Sequence, residues 1–142
     1  MNKIESFKGK YAFLSNFTPA HVRLDGVTYP SVEHAFQAAK TLDDTARARI
    51  LAAPTAGKAK ALGQHVKLRD GWDAMRLDVM RALLRQKFAR EPFASRLLAT
   101  GSVEIVEGNT WGDRFWGVYN GAGENWLGRL LMDVRSELTK NT

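Results

Sequence analysis

The 142-residue chain contains no cysteine. This excludes disulfides, thiolate metal sites and a cysteine nucleophile, and it fits a cytoplasmic protein. Histidine is scarce: His21, His34 and His65 are scattered, and no pair has the close spacing with which a helix presents zinc ligands. A zinc enzyme is therefore not expected, and no cofactor motif stands in its place. No apolar run approaches the roughly 20 residues that a membrane span needs. The opening residues, Met1-Asn2-Lys3-Ile4-Glu5, lack the apolar stretch of a signal peptide. No membrane partner is expected. The chain shows no internal repeat, no low-complexity tract and no linker, and neither GxGxxG nor GK[ST] follows a strand pattern.

What is present fits one soluble globular domain over residues 1–142, with 44% hydrophobic and 25% charged residues. The net charge of +6 is uneven: residues 45–100 carry 12 Lys/Arg against 4 Asp/Glu, and the remainder carries 9 against 11. A basic middle segment either faces phosphate groups, on a ligand or on nucleic acid, or only solvates helix surfaces. Its charges are spread rather than clustered, which suits the second reading.

Along the chain, residues 4–17 alternate aromatic and polar positions and read as an extended opening segment. It ends in Phe13-Leu14-Ser15-Asn16-Phe17, either a side-chain-stabilised turn or a loop offering a hydroxyl and an amide beside an aromatic face. Residues 22–29 read as a hairpin around Asp25-Gly26. Helices are predicted over 32–40, 42–51, 56–64 (capped by Thr55), 72–88, 92–98 and 125–138. On the longest of these, Arg76, Arg81, Arg85 and Lys87 fill the side opposite the apolar stripe. Residues 103–107 alternate as a strand, and 108–123 read mostly as loop. The fold class is α+β, mainly α-helical, with a few short strands.

Two stretches carry possible chemistry. The first is Ser31-Val32-Glu33-His34-Ala35-Phe36-Gln37-Ala38-Ala39-Lys40. Ser31 suits an N-cap, and Glu33 in the first turn is favoured by the helix macrodipole. Spacings of four and three put Glu33, Gln37 and Lys40 on one side, beside an apolar stripe of Val32, Phe36 and Ala39. This is either a capped helix with a solvated Glu-Lys face or a helix presenting an acid, an amide and an amine together. The second stretch is residues 107–128, where three of the four tryptophans fall within 16 residues and six glycines share the window. Either the loop is structural, or indole rings stack on a flat ligand that glycine backbone approaches closely. Glu33, Glu107 and Asp113 lie in or beside ordered-looking segments. A carboxylate can stabilise an oxocarbenium ion or activate water, and Lys40, beside apolar neighbours, can act as an amine nucleophile if its pKa is lowered.

These blocks in order resemble the NADAR family of YbiA-like N-glycosidases. The resemblance rests on Phe13-Leu14-Ser15-Asn16-Phe17, Asp25-Gly26 with Tyr29, the Ser31 to Lys40 run, Ala59-Lys60-Ala61-Leu62-Gly63, Trp72-Asp73, Leu97-Leu98-Ala99-Thr100-Gly101, Val106-Glu107, Asp113, Trp116-Gly117 and Gly123-Glu124-Asn125-Trp126-Leu127-Gly128. It covers nearly the whole chain. It departs from the family's pattern at Trp111-Gly112 and at Val118-Tyr119-Asn120, positions that bear on loop shape and substrate choice.

The resemblance implies a NADAR/YbiA-like fold and metal-independent hydrolysis of an N-glycosidic bond. The substrate would be either ADP-ribose attached to guanine in nucleic acid or a ribosylamino-pyrimidine phosphate intermediate of riboflavin synthesis. It implies Glu33, Lys40 and Asp113 as catalytic residues, and Ser15, Asn16, Phe17, Gln37, Trp72, Trp116, Gly117 and Asn125 as substrate contacts. Glu33, Lys40 and Asp113 are then expected to converge in one pocket walled by Trp116. The alternative is a non-catalytic module that binds ADP-ribose or NAD through the same aromatic loop.

Overall fold

The computed structural model describes residues 3–141. In chain order the elements are β1 (Lys3–Ile4), a 3-10 helix (Gly9–Leu14), β2 (Val22–Leu24), β3 (Val27–Tyr29), α1 (Val32–Ala39), α2 (Asp44–Leu51), α3 (Ala56–Gly63), α4 (Trp72–Phe88), α5 (Phe93–Ala99), β4 (Glu104–Ile105), β5 (Gly108–Asn109), β6 (Val118–Tyr119) and α6 (Trp126–Lys140). The architecture is α+β and mainly helical. The chain forms two compact units, residues 16–87 and residues 3–15 with 88–141.

In the first unit, β2 and β3 form the expected hairpin, with Val22 opposite Tyr29 and Leu24 opposite Val27. Its tip, Asp25-Gly26, takes positive φ at both residues (50° and 80°), as a tight hairpin turn requires. The chain then enters α1. Eight residues are too few for a helix to persist alone, so packing must hold it. All eight are buried, against α2, α3 and the hairpin. Each of these three helices has a side-chain cap: Ser31 Oγ accepts from His34 N–H, Asp43 from Ala46 N–H and Thr55 from Lys58 N–H. Phe36 of α1 meets Trp72 at the start of α4, with ring centroids 5.2 Å apart.

Two expectations about this chain are corrected. Residues 9–14 form a 3-10 helix rather than an extended segment: Tyr11 N–H bonds to Lys8 O and Ser15 N–H to Ala12 O. The adjacent residues Phe13 and Leu14 are both buried, which a strand with one covered face does not allow. Lys87 does not lie on a solvated face of α4. It is 1% exposed, and burial pushes its amine down to about 7.

In the second unit, β1 pairs in parallel with β4, with Ile4 beside Ile105, and both isoleucines are buried. The long segment before α6 is mostly loop, pinned by the parallel pair β5–β6. Helix α6 buries Leu127, Leu130, Leu131 and Val134, and it packs against α5 and β4.

Candidate active site

The acid, amide and amine of α1 are not solvated. Glu33 is 8% exposed, Gln37 is 4% exposed and Lys40 is half-buried. Gln37 Nε2 donates to Glu33 Oε2 at 2.6 Å, the four-residue spacing at work. The Glu33 backbone N–H, one of the unpaired donors of a first helical turn, bonds to the Asn16 carbonyl at 3.1 Å. Asn16 is buried, and its Nδ2 donates weakly to Met80 Sδ at 3.6 Å. The next residue, Phe17, is 45% exposed, and the Lys60 ammonium from α3 lies 5.9 Å from its ring centroid. Asn16, Phe17, Glu33, Gln37, Lys40 and Lys60 thus belong to one unit.

The electrostatics of this cluster are opposed. Burial pushes the Glu33 carboxyl above its ordinary value, and the Gln37 hydrogen bond with the charges of Lys60, Lys40 and His34 offsets this only in part. Burial pushes the Lys40 amine down, Glu33 raises it and Lys60 lowers it again. An acid that keeps its proton to higher pH can act as a general acid, and an amine that loses its proton more readily can act as a nucleophile.

The frame around these groups is built from hydrogen bonds at both ends of α1. His34 Nε2 and the Ala53 carbonyl lie 3.0 Å apart, and His34 Nδ1 lies 2.7 Å from the Ser31 hydroxyl. A neutral ring with Nε2–H donating to the carbonyl accepts at Nδ1 from the Ser31 hydroxyl, and a protonated ring donates at both nitrogens. The far end of α1 is tied by Arg69, whose backbone N–H bonds to the Lys40 carbonyl at 2.7 Å.

In the other unit, the tryptophan-glycine loop is organised by three side-chain hubs. Asp113 Oδ1 accepts from the backbone N–H groups of Phe115 and Trp116 at 3.0 and 2.9 Å, an Asx-type turn. Asn109 accepts from Asp113 N–H at 3.0 Å, and it donates to the Asp113 carbonyl at 2.8 Å and to Glu107 Oε2 at 3.1 Å. Asn125, left-handed at φ 56°, accepts from Glu107 N–H at 2.9 Å and donates to the Ile105 carbonyl at 3.0 Å. A Cβ at Gly117 would collide with the Glu107 carboxylate and carbonyl, and would stand 2.7 Å from Asn109 Nδ2. Trp116 meets Phe115 edge-on at 4.9 Å, and Trp111 is 58% exposed. Arg129 lies 4.5 Å from the Trp126 ring centroid, and Arg114 lies 5.2 Å from that of Tyr119.

Of the remaining sequence candidates, Ser15 closes the 3-10 helix and Trp72 is 5% exposed, packed on Phe36. Sequence reasoning missed Lys60, Gly63 and Asn109 as working parts. Lys60 and Gly63 stood in the Ala59 to Gly63 block, but nothing local says that α3 faces α1. Among the described residues, no three His, Asp or Glu side chains cluster as metal ligands, and no helix is long and apolar enough to cross a membrane.

A family model described as the NADAR domain matches residues 5–139. The N-glycosidase YbiA of Shigella boydii serotype 4 is 38% identical over 132 residues, covering 90% of this chain and 82% of that protein. A riboflavin biosynthesis protein of Vibrio vulnificus is 39% identical over 135 residues, covering 92% of this chain, which spans only 36% of that longer protein. The NMR structure of the Escherichia coli protein YbiA superposes with a TM-score of 0.85 at 35% identity, covering 99% of this chain and 88% of that one.

Proposed function

Because the chain belongs to the NADAR domain family, we propose that it hydrolyses the N-glycosidic bond of a ribose-derived substrate, with Glu33 and Lys40 at the reacting centre. The observation that carries this reading is the buried Glu33–Gln37 pair beside half-buried Lys40, an acid and an amine perturbed in opposite directions. The relatives named as N-glycosidases support the reaction class.

In the reaction, the bond from the ribose anomeric carbon to nitrogen breaks, a bond to a water oxygen forms, and the departing nitrogen takes a proton. Glu33 supplies that proton and, once ionised, accepts one from the attacking water, so the acid is restored. The developing oxocarbenium charge lies beside a carboxylate at that moment. The lowered Lys40 amine favours a second course, in which its nitrogen displaces the departing nitrogen from the anomeric carbon as Glu33 protonates that leaving group. The sugar ring then opens to an imine on Lys40, and water hydrolyses the imine to release the sugar and restore the amine. Borohydride reduction during turnover traps a sugar adduct on Lys40 if that course operates.

Two substrates fit: ADP-ribose on guanine in nucleic acid, and a ribosylamino-pyrimidine phosphate. The riboflavin name of one relative favours the second, and the basic segment at 45–100 favours the first. The substrate-contact roles given to Ser15, Asn16, Phe17, Gln37, Trp72, Trp116, Gly117 and Asn125, and the catalytic role given to Asp113, rest on the family resemblance. A cytoplasmic setting goes with this reading, as does the lack of cysteine.

Calorimetric titration of ADP-ribose beside an assay of base or amine release from both substrates tests the proposal. Turnover of either supports it. Binding without turnover of either replaces it with a ligand-binding module.

A further inference from the structure

The geometry around Gln37 points to a task for Gly63 that the resemblance does not supply. We propose that Gln37, wedged against Gly63 of α3, is a positioning residue that holds the Glu33 carboxyl in one orientation, with Oε2 accepting a hydrogen bond and Oε1 carrying the proton. The inference rests on Glu33 being the acid of the proposed reaction, but the hold itself is independent of it.

Three observations carry it. Gln37 Nε2 donates to Glu33 Oε2 at 2.6 Å, so a proton on the carboxyl sits on Oε1. Gln37 is 4% exposed, and its Oε1 has no hydrogen-bond partner. That oxygen instead abuts Gly63: a Cβ built there would collide with Oε1 and would stand 2.7 Å from Cδ and 2.9 Å from Cβ of Gln37. Carbonyl oxygen against Cα hydrogens is a weakly favourable contact. The flipped amide would turn buried N–H donors onto those hydrogens with no acceptor, at a desolvation cost. The glycine therefore selects the amide orientation, and the amide orients the acid.

The charged and titratable groups around Glu33 are Lys60 of α3 and Lys40 and His34 flanking it on its own helix. From α2, Arg47 Nε bonds to the carbonyls of Ala38 and Thr41, and its guanidinium pairs with Asp25 of the hairpin at 2.7 Å. The hydrogen-bond donor at Glu33 Oε2 is the neutral Gln37 amide.

The test is the titration of the Glu33 carboxyl by carbon-13 NMR in substrate-free protein, for wild type, Gly63→Ala and Gln37→Leu. Both variants lose the donor to Oε2, so the Glu33 midpoint moves upward in each. The double variant moves no further than Gln37→Leu, because the methyl group added at position 63 then has no amide to displace. If Gly63→Ala does not fold, Gln37→Leu alone decides. A midpoint at the wild-type value in the folded variants overturns the proposal.

Turnover separates this from the proposed function. If Glu33 is the acid, kcat falls about ten- to a hundred-fold in both variants and the pH limb due to Glu33 moves upward with the NMR midpoint, whereas KM rises in Gln37→Leu only to the extent that Gln37 also touches substrate. A moved midpoint with unchanged turnover leaves the hold standing and removes Glu33 from the chemistry.

Discussion

Replacing Glu33 by glutamine is expected to stabilise the fold while it removes the acid, and the gain should depend on pH. Glu33 is 8% exposed, and its folded pKa is raised above the ordinary 4.5, chiefly by burial. Such a carboxyl binds its proton more tightly in the folded state than in the unfolded chain. Its contribution to stability is therefore fully present below the unfolded value and is lost as pH rises through the folded value. Above that window the native state carries a buried, incompletely compensated charge. Glutamine has no charge to lose there, and its oxygen can still accept from Gln37. A penalty of about 1–3 kcal/mol is reasonable for a buried polar group whose hydrogen bonding is incomplete. Glu33→Gln is thus expected to gain about 1–3 kcal/mol at pH 8 and close to nothing at pH 4. For a chain of this length, that corresponds to a rise of about 3–9 °C in Tm. Urea unfolding of both proteins across pH 4 to 9 checks this. A variant less stable than wild type at pH 8, or a difference that does not change with pH, refutes the reasoning.

Two further substitutions test how the frame is built. Gly117→Ala forces a methyl group into the Glu107 carboxylate and carbonyl, and is expected to cost about 1–3 kcal/mol in urea unfolding. Ser31→Ala removes the α1 cap and the hydroxyl partner of His34 Nδ1, for an expected loss of about 1–2 kcal/mol. Its folded fraction should still show Gln37 bonded to Glu33, since that pair lies within the helix.

The helices were largely legible in the sequence because caps and apolar spacing are local signals. Ser31 and Thr55 each stand one residue before a helix as read, α4 is bounded at Trp72 and Phe88 as read, and α2 starts two residues later than read, after its cap Asp43. The 3-10 helix was missed because Phe13 and Leu14 owe their burial to tertiary packing, which alternation over so short a run does not encode. The two parallel pairs were missed for different reasons: β4 falls within the alternating run 103–107 but its partner β1 lies at the other end of the chain, and β5 and β6 are close in sequence but too short to carry a period. At the site, Glu33, Gln37 and Lys40 could be placed on one side of a helix from spacing alone. Whether that side was wet or buried could not, because burial comes from α2 and α3 packing on α1. Asn109 lay within the stretch 107–128 and Gly63 within the Ala59 to Gly63 block, but nothing local pointed to the partner of either. One bonds within a loop whose shape depends on Gly117, and the other matters only through the side chain it faces.

The most direct test of the central claim is the release of free base or amine from a ribosyl substrate by wild type and Glu33→Gln, each shown to be folded. General acid–base catalysis by one side chain is worth about a hundred- to ten-thousand-fold. The account predicts a loss of kcat in that range for Glu33→Gln, together with its greater stability at pH 8. Turnover equal to wild type in the folded variant would contradict it.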